Sequence, residues 1–248
     1  MVSGNIQTVL KLFIWPYITV AILFVLVLLV PVFFSKEPQT YSYAPVSANK
    51  AQELFILFHG GNSTYLNIME VAEYYANHFP NAAFVAPEGI KPSFDPYQRK
   101  WYHAYFLKPN KTKNNVDKTL PVVQNHIEKI MEQYEIPAEK TYLLGFSQGA
   151  VVALHAALRM EKSFAGIILL SGYIAGEEVP LNEHLLDTPI LLTHGSLDNI
   201  IDPRELDRTY QLLDDKGYNV NKVLVEGVKH LKEKPLLDAA LQFIKNTQ

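Results

Sequence analysis

The stretch Thr141–Met160, TYLLGFSQGAVVALHAALRM, decides how the rest of the chain is read. It begins with a β-type run, Thr141-Tyr142-Leu143-Leu144, and ends in a run of small and apolar residues with helical character, Ala150 to Met160. Between them lies Gly145-Phe146-Ser147-Gln148-Gly149, a G-x-S-x-G where a strand turns sharply into a helix. The flanking glycines let strand and helix approach closely, which a side chain at either position would prevent. Ser147 is then carried on an elbow, its hydroxyl clear of the sheet and at a helix N-terminus. Composition alone produces the five-residue pattern in roughly a few per cent of chains this size. The strand before it and the helix after it make Ser147 a candidate nucleophile, which needs a base, an acid and an oxyanion site elsewhere.

Outward from Ser147 the chain alternates β-type and helical segments. Leu54–Phe58 (LFILF) is apolar on both faces, as a central parallel strand requires. Ser63 or Thr64 can cap a helix over Tyr65–His78, and Ala82–Ala86 is the next strand. Asn115–Tyr134 has the pattern of one amphipathic helix, with Pro121 tolerated near its first turn. Beyond the elbow come strands at Gly166–Leu170, Pro189–Thr193 and Val223–Val225, with helices over Pro203–Lys216 and Pro235–Asn246. A short first strand is placed at Tyr41–Tyr43. Gly89–Asn114 and Tyr173–Asp187 are irregular and too long for simple connectors. Six strands interleaved with helices predict an α/β domain over residues 51–248, a mostly parallel, doubly wound sheet with helices on both faces.

The net charge of −3 leaves no basic footprint for nucleic acid. With no cysteine, the chain has no disulfide, thiolate metal site or cysteine nucleophile. No His and carboxylate cluster has metal-ligand spacing, so no metal is expected. Leu12 to Phe34 carries no charge over 23 residues, about 34 Å as a helix and enough to cross a hydrocarbon core of about 30 Å. Trp15 and Tyr17 at one end and Phe33 and Phe34 at the other resemble interfacial belts. The competing reading is a cleavable signal peptide. The run is longer than the usual apolar core of about 7–15 residues, and no small-x-small site follows it directly. Residues 1–34 are therefore read as a tail and an uncleaved transmembrane anchor, and residues 35–50 as a linker. A short tail, one span and a large domain together predict a catalytic domain on the extracytoplasmic side; the charges flanking the span are too few to fix orientation by themselves.

In a parallel sheet, ligands meet the chain just beyond the carboxyl ends of the strands. Four such ends carry polar groups: His59-Gly60-Gly61-Asn62, Ser147, His194-Gly195-Ser196-Leu197-Asp198, and Gly227-Val228-Lys229-His230. Ser147 and Asp198 are 51 residues apart, and Asp198 and His230 are 32, each about one β-α unit. The candidate roles are nucleophile for Ser147, base for His230, and for Asp198 the acid that orients the imidazole. Backbone N–H groups of Gly61 and Gln148 are the candidate oxyanion donors. Each has a plainer alternative. Asp198 could cap a helix, although Asp202 before Pro203 is better placed for that. His230 could be a surface histidine in a basic run, Lys229 to Lys232. His59 and His194 are read as holding loop geometry, and His78, His103, His126, His155 and His184 as structural or solvated.

FHGGN, GFSQGA, HGSLDNII and GVKH, in this order, resemble the phospholipase/carboxylesterase group of α/β-hydrolases, which includes the acyl-protein thioesterases. Ala86-Pro87-Glu88-Gly89 followed by Trp101-Tyr102 is similar to that family's P-x-G…W-F segment, and Leu170-Ser171-Gly172-Tyr173 to its L-S-G-[FY]. The similarity runs from Leu54 to Gln248. The chain departs from the family pattern at Lys229, at Asp202 and in its apolar N-terminal segment. The resemblance implies a capless α/β-hydrolase that cleaves carboxylic esters or thioesters through an acyl-serine, with water as second substrate and no cofactor. Trp101, Tyr102 and Tyr173, on the two long loops, become the candidate substrate-binding residues. An anchor near an apolar groove points to lipophilic acyl substrates: lysophospholipids, acylated proteins or medium-chain esters. A non-catalytic membrane-tethered scaffold and a serine peptidase on the same fold are the alternatives.

Overall fold

The structure, a computed structural model, describes residues 40–45, 50–105 and 109–247. The apolar segment Leu12–Phe34, and with it the expected anchor, lies outside the described residues, as does most of the expected linker. Among the described residues no helix is long and apolar enough to cross a membrane.

Seven strands form one sheet: β1 (Thr40–Tyr43), β2 (Glu53–Phe58), β3 (Ala82–Pro87), β6 (Thr141–Phe146), β7 (Gly166–Leu170), β8 (Ile190–Gly195) and β9 (Val220–Val225). Their order is β1-β3-β2-β6-β7-β8-β9. All neighbours are parallel except β1, which runs antiparallel along the edge of β3 with Thr40 opposite Pro87. The LFILF run is fully buried because residues of both parities have helices to pack on. Leu54, Ile56 and Phe58 face one core layer, shared with helices α3 (Leu120–Tyr134) and α4 (Gln148–Ala157). Phe55 and Leu57 face the other, where α1 (Tyr65–Ala76) and α6 (Lys234–Thr247) lie. The fold is that of an α/β-hydrolase with a mostly parallel sheet.

The helix expected over Asn115–Tyr134 is two helices, α2 (Pro109–Asp117) and α3. Pro121 explains the break, since its ring would collide with the carbonyl four residues back if the helix continued. The chain turns at Thr119 instead: its hydroxyl donates to the Val116 carbonyl at 2.7 Å, and its own carbonyl receives the Val122 and Val123 N–H groups at 3.1 Å each. The segment after β3 holds a small hairpin, β4 (Lys91–Pro92) and β5 (Arg99–Lys100). The last strand starts three residues before the expected Val223. It lies at the edge of the sheet, largely exposed, so Asn221 and Lys222 take part without a burial cost and no apolar run betrays them.

His155, in α4, pins the loop that follows β7. Its Nε2 accepts the Ala175 N–H at 3.0 Å, and the Arg159 guanidinium stands 3.4 Å from Nδ1. Burial, then the Arg159 cation, hold its pKa down at about 3. Unfolding returns it to the ordinary value near 6.5, so acid favours the unfolded chain. This contribution is complete above pH 6.5 and is lost as pH falls toward 3, with a slope of at most about 1.4 kcal/mol per pH unit. Urea unfolding followed from pH 7 to 4.5 is expected to show falling stability, and His155→Gln, which keeps an acceptor for Ala175, is expected to remove about one proton's share of that slope.

Candidate active site

The elbow takes the form its glycines demand. Ser147 sits at φ 54°, ψ −120°, off the regions open to most residues, and its N–H donates to the Leu170 carbonyl at 2.9 Å. A Cβ on Gly145 would stand 2.4 Å from the Ala150 nitrogen, and one on Gly149 2.1 Å from the Phe58 carbonyl oxygen. Neither position admits a side chain, so α4 starts in direct contact with β2 and β6. Gln148 is the first residue of α4, where a backbone N–H has no acceptor inside the helix.

The loop after β8 is organised by one carboxylate. Asp198 Oδ1 accepts the N–H groups of Ile200 and Ile201 at 2.9 Å each, and Oδ2 accepts from His230 Nδ1 at 2.6 Å. His194, fully buried, places Nε2 3.1 Å from the same Oδ2 and 3.2 Å from the Ile201 carbonyl. Burial pushes the Asp198 carboxyl up, but the hydrogen bonds from His230, Ile201 and Ile200 outweigh it and leave the pKa below the ordinary value. Burial lowers His194, which is therefore held neutral. Asp202, by contrast, is exposed and holds the Arg204 N–H at 3.0 Å and its guanidinium, which bring its pKa to about 2. Of the two acids, the one beside His230 is Asp198.

Ser147, His230, Gly61 and Gln148 line a cleft of about 350 Å³, with Asp198 behind the histidine. The Phe146 ring packs on the His230 imidazole at a centroid distance of 4.9 Å. The HGG loop is fixed from beneath. His59 Nδ1 meets the Gly60 carbonyl at 2.7 Å, and its Nε2 accepts the Gly89 N–H at 2.8 Å. The Gln148 side chain covers Gly61, where an added Cβ would meet its Cδ at 2.5 Å, while its Oε1 accepts the Trp101 N–H at 3.3 Å.

The three substrate-binding candidates separate. Tyr102 and Tyr173 stand in the cleft wall, and the buried Tyr102 hydroxyl donates to that of Tyr173. Burial pushes both phenols up, Tyr102 the further. Trp101 is not in the wall. It is fully buried under the HGG loop, where its indole N–H donates to the His59 carbonyl at 2.8 Å. Ile200 and Ile201, which the sequence analysis passed over, complete the wall. With Tyr173 they also back onto a second cavity of about 460 Å³ that reaches Arg208 and Glu205. Their position next to Asp198 was the available signal, because a residue so close to a strand end in a parallel sheet faces the same crevice.

The model of the phospholipase/carboxylesterase family matches residues 43–248. Esterase YpfH of Escherichia coli (strain K12) is 28% identical over 198 residues, which cover 79% of this chain and 84% of that protein. Acyl-protein thioesterase 1 of Debaryomyces hansenii is 30% identical over 151 residues, 58% of this chain and 65% of its own length. The crystal structure of esterase PE8 superposes with a TM-score of 0.79 at 25% identity, over 86% of this chain and all of that one.

The charge on Asp198 has a measurable structural weight. Asp198→Ala leaves the N–H groups of Ile200 and Ile201 and the His230 imidazole without their acceptor, and is expected to lower the free energy of unfolding by about 2–4 kcal/mol. Asp198→Asn retains Oδ1 for Ile200 and Ile201 and is expected to cost about half as much. Urea denaturation of the two variants side by side reads the difference.

Proposed function

Since the chain belongs to the phospholipase/carboxylesterase family and is a carboxylic ester hydrolase, we propose that it works through an acyl-enzyme formed on Ser147. The observation that carries this reading is His230 Nδ1 at 2.6 Å from a buried, ionised Asp198, in the cleft that also holds Ser147. With Nδ1 committed to Asp198, Nε2 is the nitrogen left to take the Ser147 proton, and the carboxylate stabilises the imidazolium that forms. The serine oxygen then adds to the substrate carbonyl. Gly61 and Gln148 N–H groups stabilise the resulting oxyanion. Collapse expels the alcohol or thiol, which takes its proton from His230. Water, deprotonated by the same histidine, releases the acid and restores Ser147.

The wall formed by Phe146, Tyr102, Tyr173, Ile200 and Ile201 is mostly apolar and favours a lipophilic acyl group. Residues 12–34 serve in this reading as a transmembrane anchor, which keeps the domain beside lipid on the extracytoplasmic side. Lysophospholipids, acylated proteins and medium-chain esters all fit these two conditions.

A fluorophosphonate probe is expected to label the full chain and not Ser147→Ala, whose kcat/KM should drop by about a thousandfold or more. An unlabelled wild type would mark a non-catalytic scaffold. Across p-nitrophenyl esters from two to twelve carbons, kcat/KM is expected to rise by about tenfold with each two methylenes buried, until the cleft is filled. A preference for acetyl esters alone would overturn the lipophilic assignment.

A further inference from the structure

Asp198 meets a second histidine as well as His230. His194 lies on β8, four residues before Asp198, and both side chains are fully buried. Its Nε2 stands 3.1 Å from Asp198 Oδ2 and 3.2 Å from the Ile201 carbonyl. Both neighbours are acceptors, so Nε2 carries the proton. Burial holds the ring neutral, which leaves Nδ1 bare. Nδ1 has no hydrogen-bond partner among the described residues. Ser171, whose N–H donates to the Thr193 carbonyl at 2.8 Å, brings a hydroxyl to the adjoining strand end, yet its Oγ has no partner among them either. The polar contacts that orient the ring are therefore those of Nε2 alone.

That placement completes the surroundings of the carboxylate, which has about four lone-pair sites. The Ile200 and Ile201 N–H groups, at 2.9 Å each, take the two on Oδ1. His230 Nδ1, at 2.6 Å, takes one on Oδ2, and His194 Nε2 is the donor that stands against the other. The Ile201 peptide closes the arrangement, because its N–H binds Oδ1 while its carbonyl faces His194. Asp198 cannot turn about its Cβ–Cγ bond without leaving both the ring and the peptide behind. Charge matters as much as geometry. An imidazolium at His194 would draw on the negative charge that Asp198 holds for His230. A neutral N–H steadies the oxygen and leaves that charge in place.

We infer that His194 is a positioning residue for ester hydrolysis: acting through Asp198, it holds Oδ2 against His230 Nδ1 and so keeps the base aimed at Ser147. The inference rests on the acyl-serine reading for its consequence in turnover, and not for the contact between His194 and Asp198. His194 does not line the cleft. A plainer role, fastening the 198–201 loop through the Ile201 carbonyl, has a different consequence, because Ile200 and Ile201 form part of the cleft wall. A slack loop changes how the wall fits each acyl chain. A slack carboxylate slows the chemistry on every chain alike.

Two substitutions in the full chain separate these roles. His194→Met removes the N–H at similar volume, and His194→Gln returns a neutral N–H at similar reach. In His194→Met, kcat is expected to fall about tenfold on p-nitrophenyl acetate, butyrate and octanoate alike, with KM within about twofold of wild type. His194→Gln is expected to recover kcat to within about threefold of wild type. In an Asp198→Asn background, adding His194→Met is expected to change kcat by less than about twofold, since the residue it acts through is already altered. An unchanged kcat in His194→Met overturns the inference. So does a loss that enters through KM and varies with chain length, or one that is as large in the Asp198→Asn background. Nuclear magnetic resonance of 15N-histidine-labelled protein decides the contact without turnover. Wild-type His194 is expected as the Nε2–H tautomer at neutral pH, and the opposite tautomer or an imidazolium overturns the inference even where His194→Met does not fold. The far-downfield Nδ1 proton of His230 is expected to exchange with solvent about tenfold faster or more in His194→Met, and an unaltered rate counts against the inference. Wild type that resists a fluorophosphonate would remove the acyl-serine reading, while the tautomer and the exchange rate still decide whether His194 holds Asp198.

Discussion

The close approach of α4 to β2 is the constraint on which the rest of the site depends. At Gly149 the helix backbone lies so near the Phe58 carbonyl that a Cβ would be 2.1 Å from its oxygen, and at Gly145 a Cβ would be 2.4 Å from the Ala150 nitrogen. Holding the two elements this tightly forces Ser147 into a conformation that costs about 1–3 kcal/mol in a non-glycine residue. The surroundings supply the compensation. Every residue of α4 after Gln148 is buried, and Ala150, Ala153, Ala156 and Ala157 are small enough for the helix to lie flat on the sheet. The elbow also hydrogen-bonds to the next strand through Ser147 N–H and Leu170. The strained conformation of Ser147 is thus a consequence of central packing.

Around this point the polar side chains hold one another in place more than they hold the fold. Gln148 contributes a helix-terminal N–H, and its amide lies across Gly61 and receives Trp101, so the two candidate oxyanion donors are kept in register by a side chain from one of them. His59 ties Gly60 to Gly89, and Trp101 closes the same loop from below. On the other side, Asp198 gathers two backbone N–H groups and two imidazoles. A carboxylate with that many donors stays ionised despite burial, which is the state an orienting acid needs.

How much of this was legible in the sequence follows from how local each signal is. The buried strands and the elbow announce themselves because burial on both faces demands uninterrupted apolar runs and close approach demands glycine. The split between α2 and α3 was harder to see, since Pro121 suits the first turn of a helix as well as the end of one. The start of β9 carried no apolar signal, because an exposed edge strand needs none. His194 was legible as a histidine that holds loop geometry after a strand. Its contact with Asp198 was not, because that contact depends on how the 195–201 loop folds back. Ile200 and Ile201 looked like ordinary loop residues until that loop was closed around the carboxylate.

The loop after β3 shows why a pattern of aromatics cannot be assigned to a pocket by type alone. Trp101 and Tyr102 each carry a polar hydrogen, and each finds an internal acceptor: the His59 carbonyl for the indole, the Tyr173 hydroxyl for the phenol. With the polar end satisfied, burial of the ring is favourable, and the two residues become the floor and wall of the site. Phe94 and Tyr97 lie on a turn closed by its own backbone and Asp95, which projects them away from any such partner. One segment thereby separates two aromatics that shape the cleft from two that face outward. The bonds between Ser63 and Arg99 and between Ser93 and Asn62 couple the two pairs mechanically.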